Sequence, residues 1–144
     1  MEKEKLLNDL LVMLFNEVLD MEHRALITGS FKEISINDMH IIDAIGIEEP
    51  RNMSTVAKAM AVTVGTLTTA VNNLVKKGYV VRNRSSEDRR VVFISLSEKG
   101  VKAYYHHKKF HEQMIDSVVK ELTEEELEAL VKALTKLNTW FRSF

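Results

Sequence analysis

The sequence predicts a single, mostly α-helical domain with one β-hairpin. Apolar residues recur at three- and four-residue steps along most of the 144 residues, which is the spacing of amphipathic helices. Two runs rich in β-branched and aromatic residues flank the polar hexapeptide 85–90, which is typical of a hairpin. No internal repeat, low-complexity tract or linker interrupts the chain, so one domain is expected over residues 1–144.

The first predicted helix covers residues 5–27 and is apolar around most of its circumference. Leu7, Leu10 and Leu14 follow helical steps, and Met13 and Phe15 widen the stripe beyond one face. A helix of this kind is buried on several sides, either by its own domain or by a partner.

Three shorter helices are predicted next. Ser35 is placed to cap a helix that runs to Ile45, and Ser54 is placed to cap a short helix after it. Thr63 begins the third of these helices, which ends at Gly78. Its four threonines and three valines favour a strand on propensity alone, but the helical spacing of its apolar residues decides for a helix. These inward residues are Val64, Leu67, Val71, Leu74 and Val75.

The predicted hairpin joins the runs Tyr79–Arg84 and Val91–Leu96. Ser97 is placed to cap a helix over residues 98–120. Thr123 and the glutamates that follow it form a capping box, which opens the last helix.

The net charge of −1, from 20 basic and 21 acidic residues, hides a segregated pattern. Residues 76–90 carry six basic residues against two acidic ones, and residues 59–75 carry no charge. Residues 112–128 carry seven acidic residues against one basic residue, which indicates a solvated face. Nucleic-acid-binding domains are usually basic, but net charge governs solubility and steering rather than fold, so this balance does not exclude DNA.

Several classes of protein are excluded or disfavoured by simple features. Without cysteine there is no disulfide framework, thiolate zinc site or cysteine nucleophile. No apolar run approaches the roughly 18–20 residues of a membrane span, and no secretory signal opens the chain, so a cytoplasmic protein with no membrane partner is expected. The five glycines form no phosphate-binding or dinucleotide fingerprint and no nucleophile elbow is present, so neither an enzyme nor a cofactor is predicted.

A neutral helix with a polar outer side, followed by a basic hairpin, is the layout of a winged helix-turn-helix. In residues 63–78 the apolar residues occupy one arc of the helical wheel, while Thr66, Thr69 and Asn73 face the other way. Asparagine can pair with adenine and a threonine methyl can pack on thymine; no arginine is present to read guanine, so an A·T-rich half-site is predicted. The alternatives are an ordinary half-buried helix with a solvated face, or a helical interaction module that never touches DNA. The candidate DNA-binding residues are Thr63, Thr66, Thr68, Thr69, Asn72, Asn73, Lys76, Arg84, Arg89 and Arg90.

The hairpin supplies the sequence-independent part of the predicted DNA contact. Arg84, Arg89 and Arg90 can contact phosphates, and one arginine at the tip can enter a narrow, A·T-rich minor groove. Asp88 is unsuited to DNA contact by its charge, so it is expected to pair with a wing arginine and fix the loop. Simple solvation of a surface loop is the alternative for these arginines.

Residues 88–100, Asp-Arg-Arg-Val-Val-Phe-Ile-Ser-Leu-Ser-Glu-Lys-Gly, resemble the wing signature of the MarR family, and residues 66–68 and 74–78 with Arg82 match its recognition-helix region. The resemblance covers nearly the whole chain and implies a homodimeric winged-helix transcriptional regulator. It implies dimerisation helices in residues 1–33 and 98–144, and a winged-helix DNA-binding core in residues 34–97. Thr69 stands where members of the family often carry an arginine.

Within that family, residues 64–74, 31–35 and 108–111 resemble the branch that represses fatty-acid biosynthesis genes in Gram-positive cocci. This resemblance implies repression of such genes, with long-chain acyl-acyl carrier protein as a corepressor that strengthens DNA binding. An acidic carrier protein would need a basic docking surface, and its acyl chain an apolar slot; for the aromatic residues, packing in the core is the alternative. The candidate effector residues are Met21, Lys102, Tyr104, Lys108, Lys109, Phe110 and Met114.

Several histidines and one glutamate indicate an alternative function, which is metal sensing. His107 and His111 are four residues apart on one predicted helix, a spacing that can bind a metal, and Glu22, His23 and His40 lie on helices expected nearby. A zinc-sensing branch of the same family uses such a set, which would make the chain a zinc-responsive regulator with Glu22, His40, His107 and His111 as ligands. Structural or solvated histidines are the simpler interpretation, and pH sensing is a third.

Overall fold

The computed structural model describes residues 1–144, and the prediction of a mostly helical winged helix-turn-helix is confirmed. The chain forms six helices and three short strands. The helices are α1 (Glu2–Ile27), α2 (Ile36–Ile45), α3 (Met53–Met60), α4 (Val64–Lys76), α5 (Glu98–Glu121) and α6 (Glu124–Arg142). The strands are β1 (Arg51–Asn52), β2 (Val80–Arg84) and β3 (Val92–Leu96). None of the helices is both long and apolar enough to cross a membrane.

The chain divides into two compact units, Met1–Lys108 and Lys109–Phe144. The first unit contains α1 to α4, the sheet and the first part of α5. The second unit contains the remainder of α5 and α6, and none of the residues of α6 is buried.

Side-chain caps set most helix starts where the sequence predicts them. Ser35 Oγ accepts a hydrogen bond from the Asp38 N–H at 3.0 Å, and the Asp38 carboxylate accepts one from the Ser35 N–H at 3.1 Å. Thr63 Oγ1 accepts from the backbone N–H of Thr66 at 3.1 Å, and Ser97 Oγ accepts from the N–H at the start of α5 at 3.1 Å. In the second unit Thr123 forms the predicted capping box. These caps satisfy backbone donors that a helix start otherwise leaves unpaired.

The predicted cap of α3 is wrong. The helix begins at Met53, and Asn52 Oδ1 accepts a hydrogen bond from the Thr55 N–H at 2.8 Å, while Ser54 lies exposed inside the first turn. The reason is a strand that the sequence analysis did not predict: Arg51 and Asn52 form β1 and pair with β3. That pairing holds Asn52 in the extended conformation from which a helix can be capped.

The sheet has the order β1-β3-β2 and is antiparallel throughout. The predicted hairpin is confirmed: β2 pairs with β3 from Val80 opposite Leu96 to Arg84 opposite Val92. The loop between these strands is the wing, defined here as residues 85–91.

The core lies among α2, α3, α4 and the sheet. Met39, Ile41, Ile42 and Ile45 are buried as predicted for α2. From α4 the core takes Leu67, Val71 and Leu74, with Val75 half-buried. Val64 is wrongly predicted as an inward residue: it is 44% exposed, because it is the first residue of α4 and lies beyond the end of the packed face.

The start of α5 approaches the backbone before β2 very closely. The Ser97 N–H donates to the Tyr79 carbonyl oxygen at 3.0 Å, and the Ser97 hydroxyl donates to the Gly78 carbonyl at 2.5 Å. A Cβ placed on Gly100 would lie 2.1 Å from the same Tyr79 oxygen. Only glycine fits at position 100 without moving the backbone of one element.

Candidate DNA-binding surface

The polar side of α4 faces solvent, while Leu67, Val71 and Leu74 attach the opposite side to the core. Six of the residues predicted to contact DNA are exposed on this helix or at its N-cap: Thr63, the N-cap, and Thr66, Thr69, Asn72, Asn73 and Lys76. Thr68 is half-buried at the edge of this face. The structure therefore places all seven on or beside one solvent-facing surface of a helix of 13 residues.

Hydrogen bonds within α4 decide what each threonine can offer. Thr68 Oγ1 donates its proton to the Val64 carbonyl oxygen at 2.7 Å, which leaves its lone pairs and its methyl group for contact. Thr63 donates its hydroxyl proton to Thr66 Oγ1 at 3.0 Å, so Thr66 keeps its own hydroxyl proton for a further acceptor. Hydroxyl-to-carbonyl bonds of this kind are common in helices and keep the side chain in one rotamer.

The two adjacent asparagines of α4 are in different states. Asn72 Oδ1 accepts a hydrogen bond from Nη1 of Arg82, which lies in the middle of β2. Asn73 makes no side-chain hydrogen bond, so its amide keeps both donor and acceptor. Beside the Arg82–Asn72 contact is an open groove of about 350 Å³, lined by Met53, Thr68, Arg82, Arg84 and Val92. Sequence reasoning noted Arg82 only as part of the family resemblance and did not place it in the site.

The wing is held in shape by Asp88. Its carboxylate accepts hydrogen bonds from the Arg90 backbone N–H at 3.0 Å, from Arg90 Nε at 3.1 Å and from Arg90 Nη2 at 3.3 Å. The side-chain bond from Arg90 and then the backbone bond hold the pKa of Asp88 below its usual range. Two backbone bonds close the loop, from Ser85 N–H to Val91 O at 2.9 Å and from Val91 N–H to Asp88 O at 3.0 Å.

The three hairpin arginines of the sequence prediction are all exposed, but they differ in their contacts. Arg84 donates from Nη1 to the Arg89 carbonyl oxygen at 3.1 Å, and Arg90 is paired with Asp88. The guanidinium of Arg89 makes no hydrogen bond or ion pair within the chain, so all of its donors are available to a phosphate or a minor groove. Charge-assisted pairing of Arg90 leaves only part of its guanidinium for an outside partner.

A buried tyrosine and a glutamate tie the base of the wing to the segment before α2. Tyr79 is fully buried and its hydroxyl donates to Glu33 Oε1 at 2.6 Å, while Lys99 Nζ donates to the same oxygen at 2.7 Å. The Lys99 bond, followed by the Tyr79 bond, lowers the pKa of Glu33 to about 2. Lys77 Nζ donates to the Glu33 backbone carbonyl at 2.6 Å, and burial raises the pKa of Tyr79. No sequence motif predicted this group of four residues, whose members are 44 to 66 residues apart from Glu33.

The candidate effector residues are distributed over both units. In the first unit Met21, Lys102 and Lys108 are exposed, whereas Tyr104 is half-buried and packs against the core. Lys102 Nζ lies 4.0 Å from a Glu98 carboxylate oxygen on the same helix. In the second unit Lys109 is exposed, and Phe110 and Met114 are half-buried.

The buried carboxylate of Glu22 lies near two imidazole rings in the first unit, those of His40 and His107. Glu22 is 6% exposed, and its Oε2 lies 3.1 Å from Nε2 of His40. The ring of His107, 8% exposed, packs edge-on against the ring of His40 with 5.8 Å between centroids. His111 follows four residues later in α5, where its ring packs against Phe110 in the second unit.

Comparison with known proteins agrees with this geometry. The family described as transcriptional regulator SarA/Rot matches residues 28–105. The crystal structure of FabT from Streptococcus pneumoniae in complex with DNA is similar with a TM-score of 0.94, at 41% identity over 97% of this chain and 98% of that one. The transcriptional regulator SarZ of Staphylococcus haemolyticus is 30% identical over 71% of this chain and 68% of its own length. The uncharacterised regulator YhjH of Bacillus subtilis is 29% identical over 87% of this chain and 71% of its own length.

The matched segment runs from the end of α1 through the first turns of α5, and so contains α4 and the complete wing. The relatives are transcriptional regulators rather than enzymes. The chain belongs to the SarA/Rot family of MarR-like, winged-helix transcriptional regulators.

Proposed function

We propose that the chain is a homodimeric, sequence-specific DNA-binding repressor. The observation that carries this proposal is the exposed Thr/Asn face of α4, together with three exposed arginines of the hairpin, Arg84 at the end of β2 and Arg89 and Arg90 in the wing. The likeness to FabT, whose structure was solved in complex with DNA, supports it over nearly the full length of the chain. A major groove admits one helix, and the fixed wing then lies against the flanking backbone.

The proposed contacts divide into two kinds. The side chains of Thr63, Thr66, Thr68, Thr69, Asn72 and Asn73 read base edges and methyl groups from α4. Lys76, Arg84, Arg89 and Arg90 contact phosphates, and Arg89 enters the minor groove. Since α4 has no arginine for guanine, the preferred half-site is rich in A·T pairs.

The proposed dimer uses the terminal helices. Eight large apolar side chains between Leu6 and Phe15 are each more than 40% exposed, and in α6 the aromatic residues Trp140 and Phe141 are more than half exposed. Exposed apolar surface of this extent marks a protein interface. A two-fold dimer presents two α4 helices about one turn of DNA apart (roughly 34–36 Å), which matches a pseudo-palindrome.

A gel-shift titration at low salt tests DNA binding. Duplexes from A·T-rich promoters of fatty-acid biosynthesis genes are expected to form a complex, and a G·C-rich duplex of equal length is the control. Absence of any complex with the A·T-rich duplexes at low salt contradicts the proposal, since phosphate contacts are strongest there.

The proposed target genes are those of fatty-acid biosynthesis, and the resemblance of residues 64–74, 31–35 and 108–111 to fatty-acid repressors supports this part of the proposal. Long-chain acyl-acyl carrier protein is the proposed corepressor, and Lys102, Lys108 and Lys109 are its proposed basic docking residues because the carrier is acidic. Adding the acylated carrier to the gel shift is expected to strengthen binding, with the unacylated carrier as control. Equal binding with both carriers contradicts this part and leaves the DNA-binding proposal standing.

A zinc-responsive regulator is the second candidate function. It is favoured by the buried Glu22 carboxylate within 3.1 Å of His40 and by the buried His107 ring beside it, a donor set that suits Zn²⁺. Equilibrium dialysis against micromolar zinc is expected to show binding that His40→Ala and His107→Ala abolish. His23→Ala, at an exposed position of α1, is the matched control. No bound zinc in the wild-type protein ends this candidate.

A further inference from the structure

We propose that Arg82 determines the base preference of α4 by fixing the orientation of the Asn72 side-chain amide. This inference rests on the proposed DNA-binding function and identifies a residue that acts on specificity through another side chain. Arg82 is a positioning residue in this role, whatever phosphate contact its remaining donors make.

The hydrogen bond assigns the two ends of the amide. A guanidinium has only donors, so the Asn72 atom that faces it is the oxygen Oδ1. The amide NH₂ group is then on the side turned away from β2. A free asparagine rotates its amide by 180° at little cost and offers either end, whereas Asn72 is restricted to one.

Both ends of this contact are attached to rigid parts of the core. Arg82 is paired with Ile94 of β3, and Ile94 is fully buried. Asn72 follows Val71, which is also fully buried and fixes that turn of α4. The open groove beside the contact is lined by Thr68 and Arg82 and gives the guanidinium direct access to solvent. The orientation of Asn72 is therefore set before DNA arrives, which is how a reading side chain gains selectivity.

The fixed amide makes Asn72 a hydrogen-bond donor at the base position that it reads. Its NH₂ group donates, so it suits bases that present an acceptor: purine N7, guanine O6 or thymine O4. Cytosine presents the N4 donor in the major groove and is rejected there. Asn73 has no such partner and keeps donor and acceptor together, which is what bidentate pairing with adenine requires.

The test uses the full-length protein and a library of random duplexes. Sequences selected by the wild-type protein define the preferred site, and affinities are then measured for that site and for each single-base change in it. The position that loses its preference in Asn72→Ala is the one that Asn72 reads. The key variant is Arg82→Met, and Arg84→Met is the matched control, because Arg84 is exposed on the same strand but donates to the Arg89 backbone.

Arg82→Met is expected to reduce discrimination against cytosine at that position about five- to tenfold, because the released amide can turn its oxygen outward. Arg82→Lys, which also donates only, retains the discrimination. Arg84→Met lowers affinity for all sequences by a common factor and leaves every preference unchanged. If Arg82→Met behaves as Arg84→Met does, the inference is wrong while the DNA-binding function stands. If the wild-type protein enriches no sequence and binds no duplex, the proposed function fails and the inference fails with it.

Discussion

The winged core, residues 34–97, and the terminal helices α1 and α6 carry apolar residues at similar helical spacing but bury them to opposite extents. All buried apolar residues except Leu26 and Ala103 lie in the winged core. In α1 the only buried residues are Glu22 and Leu26, and α6 has none. Periodicity thus reports that a helix has an apolar face, but it does not report what covers that face.

This difference in burial indicates that the winged core and the terminal helices have different roles. Most of the buried apolar residues lie in the winged core, and its helix α4 presents a polar surface to solvent on the side away from them. The terminal helices leave large apolar side chains in solvent, which is costly for an isolated chain and is relieved by association. We therefore expect the winged core to remain folded and able to contact DNA when the terminal helices no longer associate.

The largest expected effect is on association. Leu14→Asp in α1 and Phe141→Asp in α6 alter side chains that are 60% and 62% exposed, and each change occurs twice in a two-fold dimer. Burying these carboxylates in an apolar interface is expected to raise the dimer dissociation constant by about 1000-fold. Sedimentation velocity measures this. Ile47→Asp, at a 39% exposed position of the winged core, is the control and leaves association unchanged. Unaltered dimers in both helix variants contradict the role of these faces.

The second-largest expected effect is on the free energy of unfolding. It comes from a substitution where the start of α5 closely approaches the winged core. Gly100→Ala would place a methyl group 2.1 Å from the Tyr79 carbonyl oxygen, so backbone must move, at an expected cost of about 3 kcal/mol in unfolding free energy. Gly65→Ala is the matched control, since its Cβ meets nothing nearer than 3.9 Å and alanine favours the helix. Urea unfolding compares the two. Equal stability of Gly100→Ala and the wild type would show that the two elements separate easily.

Local signals in the sequence predicted most of the fold. Helical spacing, the caps at Ser35 and Thr63 and the hairpin around residues 85–90 all act between residues close in sequence, and the structure has them. Strand β1 was missed because two residues carry no periodicity and pair with a strand some 40 residues later. The error at Ser54 followed from that omission, since the pairing of Asn52 moves the helix start.

The composition of the candidate site was predictable, and so was the pairing of Asp88 with a hairpin arginine, which is Arg90. Contacts between different elements were not predictable. The threonines, asparagines and arginines were identified from their types and positions. The Arg82–Asn72 contact and the link from Glu33 to Tyr79 depend on side chains brought together by tertiary packing. No spacing rule gives such pairs, because they belong to different elements and their distance in sequence has no fixed value.

The third prediction divides the surface of the winged core into its reading and anchoring parts. Arg89→Ala is expected to weaken binding to all duplexes roughly tenfold. It is also expected to reduce the slope of the logarithm of the binding constant against the logarithm of salt concentration by about one, because one fewer counterion is released. Asn73→Ala is expected to cost about 1–2 kcal/mol at one base position and to leave the salt dependence unchanged. Fluorescence anisotropy at several salt concentrations measures both. A uniform loss in Asn73→Ala, with no change of preference, would place base reading elsewhere.

The smallest effect concerns the link between the winged core and the segment that follows α1. Glu33→Gln keeps an acceptor for Tyr79 and Lys99 but removes the charge. Because Lys99 and Tyr79 lower the pKa of Glu33 to about 2, its charge stabilises the fold fully above the unfolded value of 4.5 and loses this contribution as the pH falls toward 2. With the carboxylate 41% exposed, solvent screening limits the contribution to about 1 kcal/mol. Urea unfolding from pH 7 to pH 3 should show a stability gap between wild type and variant that narrows below pH 4.5, whereas Glu48→Gln in the exposed loop after α2 shows no gap. A gap that stays constant over this range would mean that the hydrogen-bond geometry, and not the charge, joins the two regions.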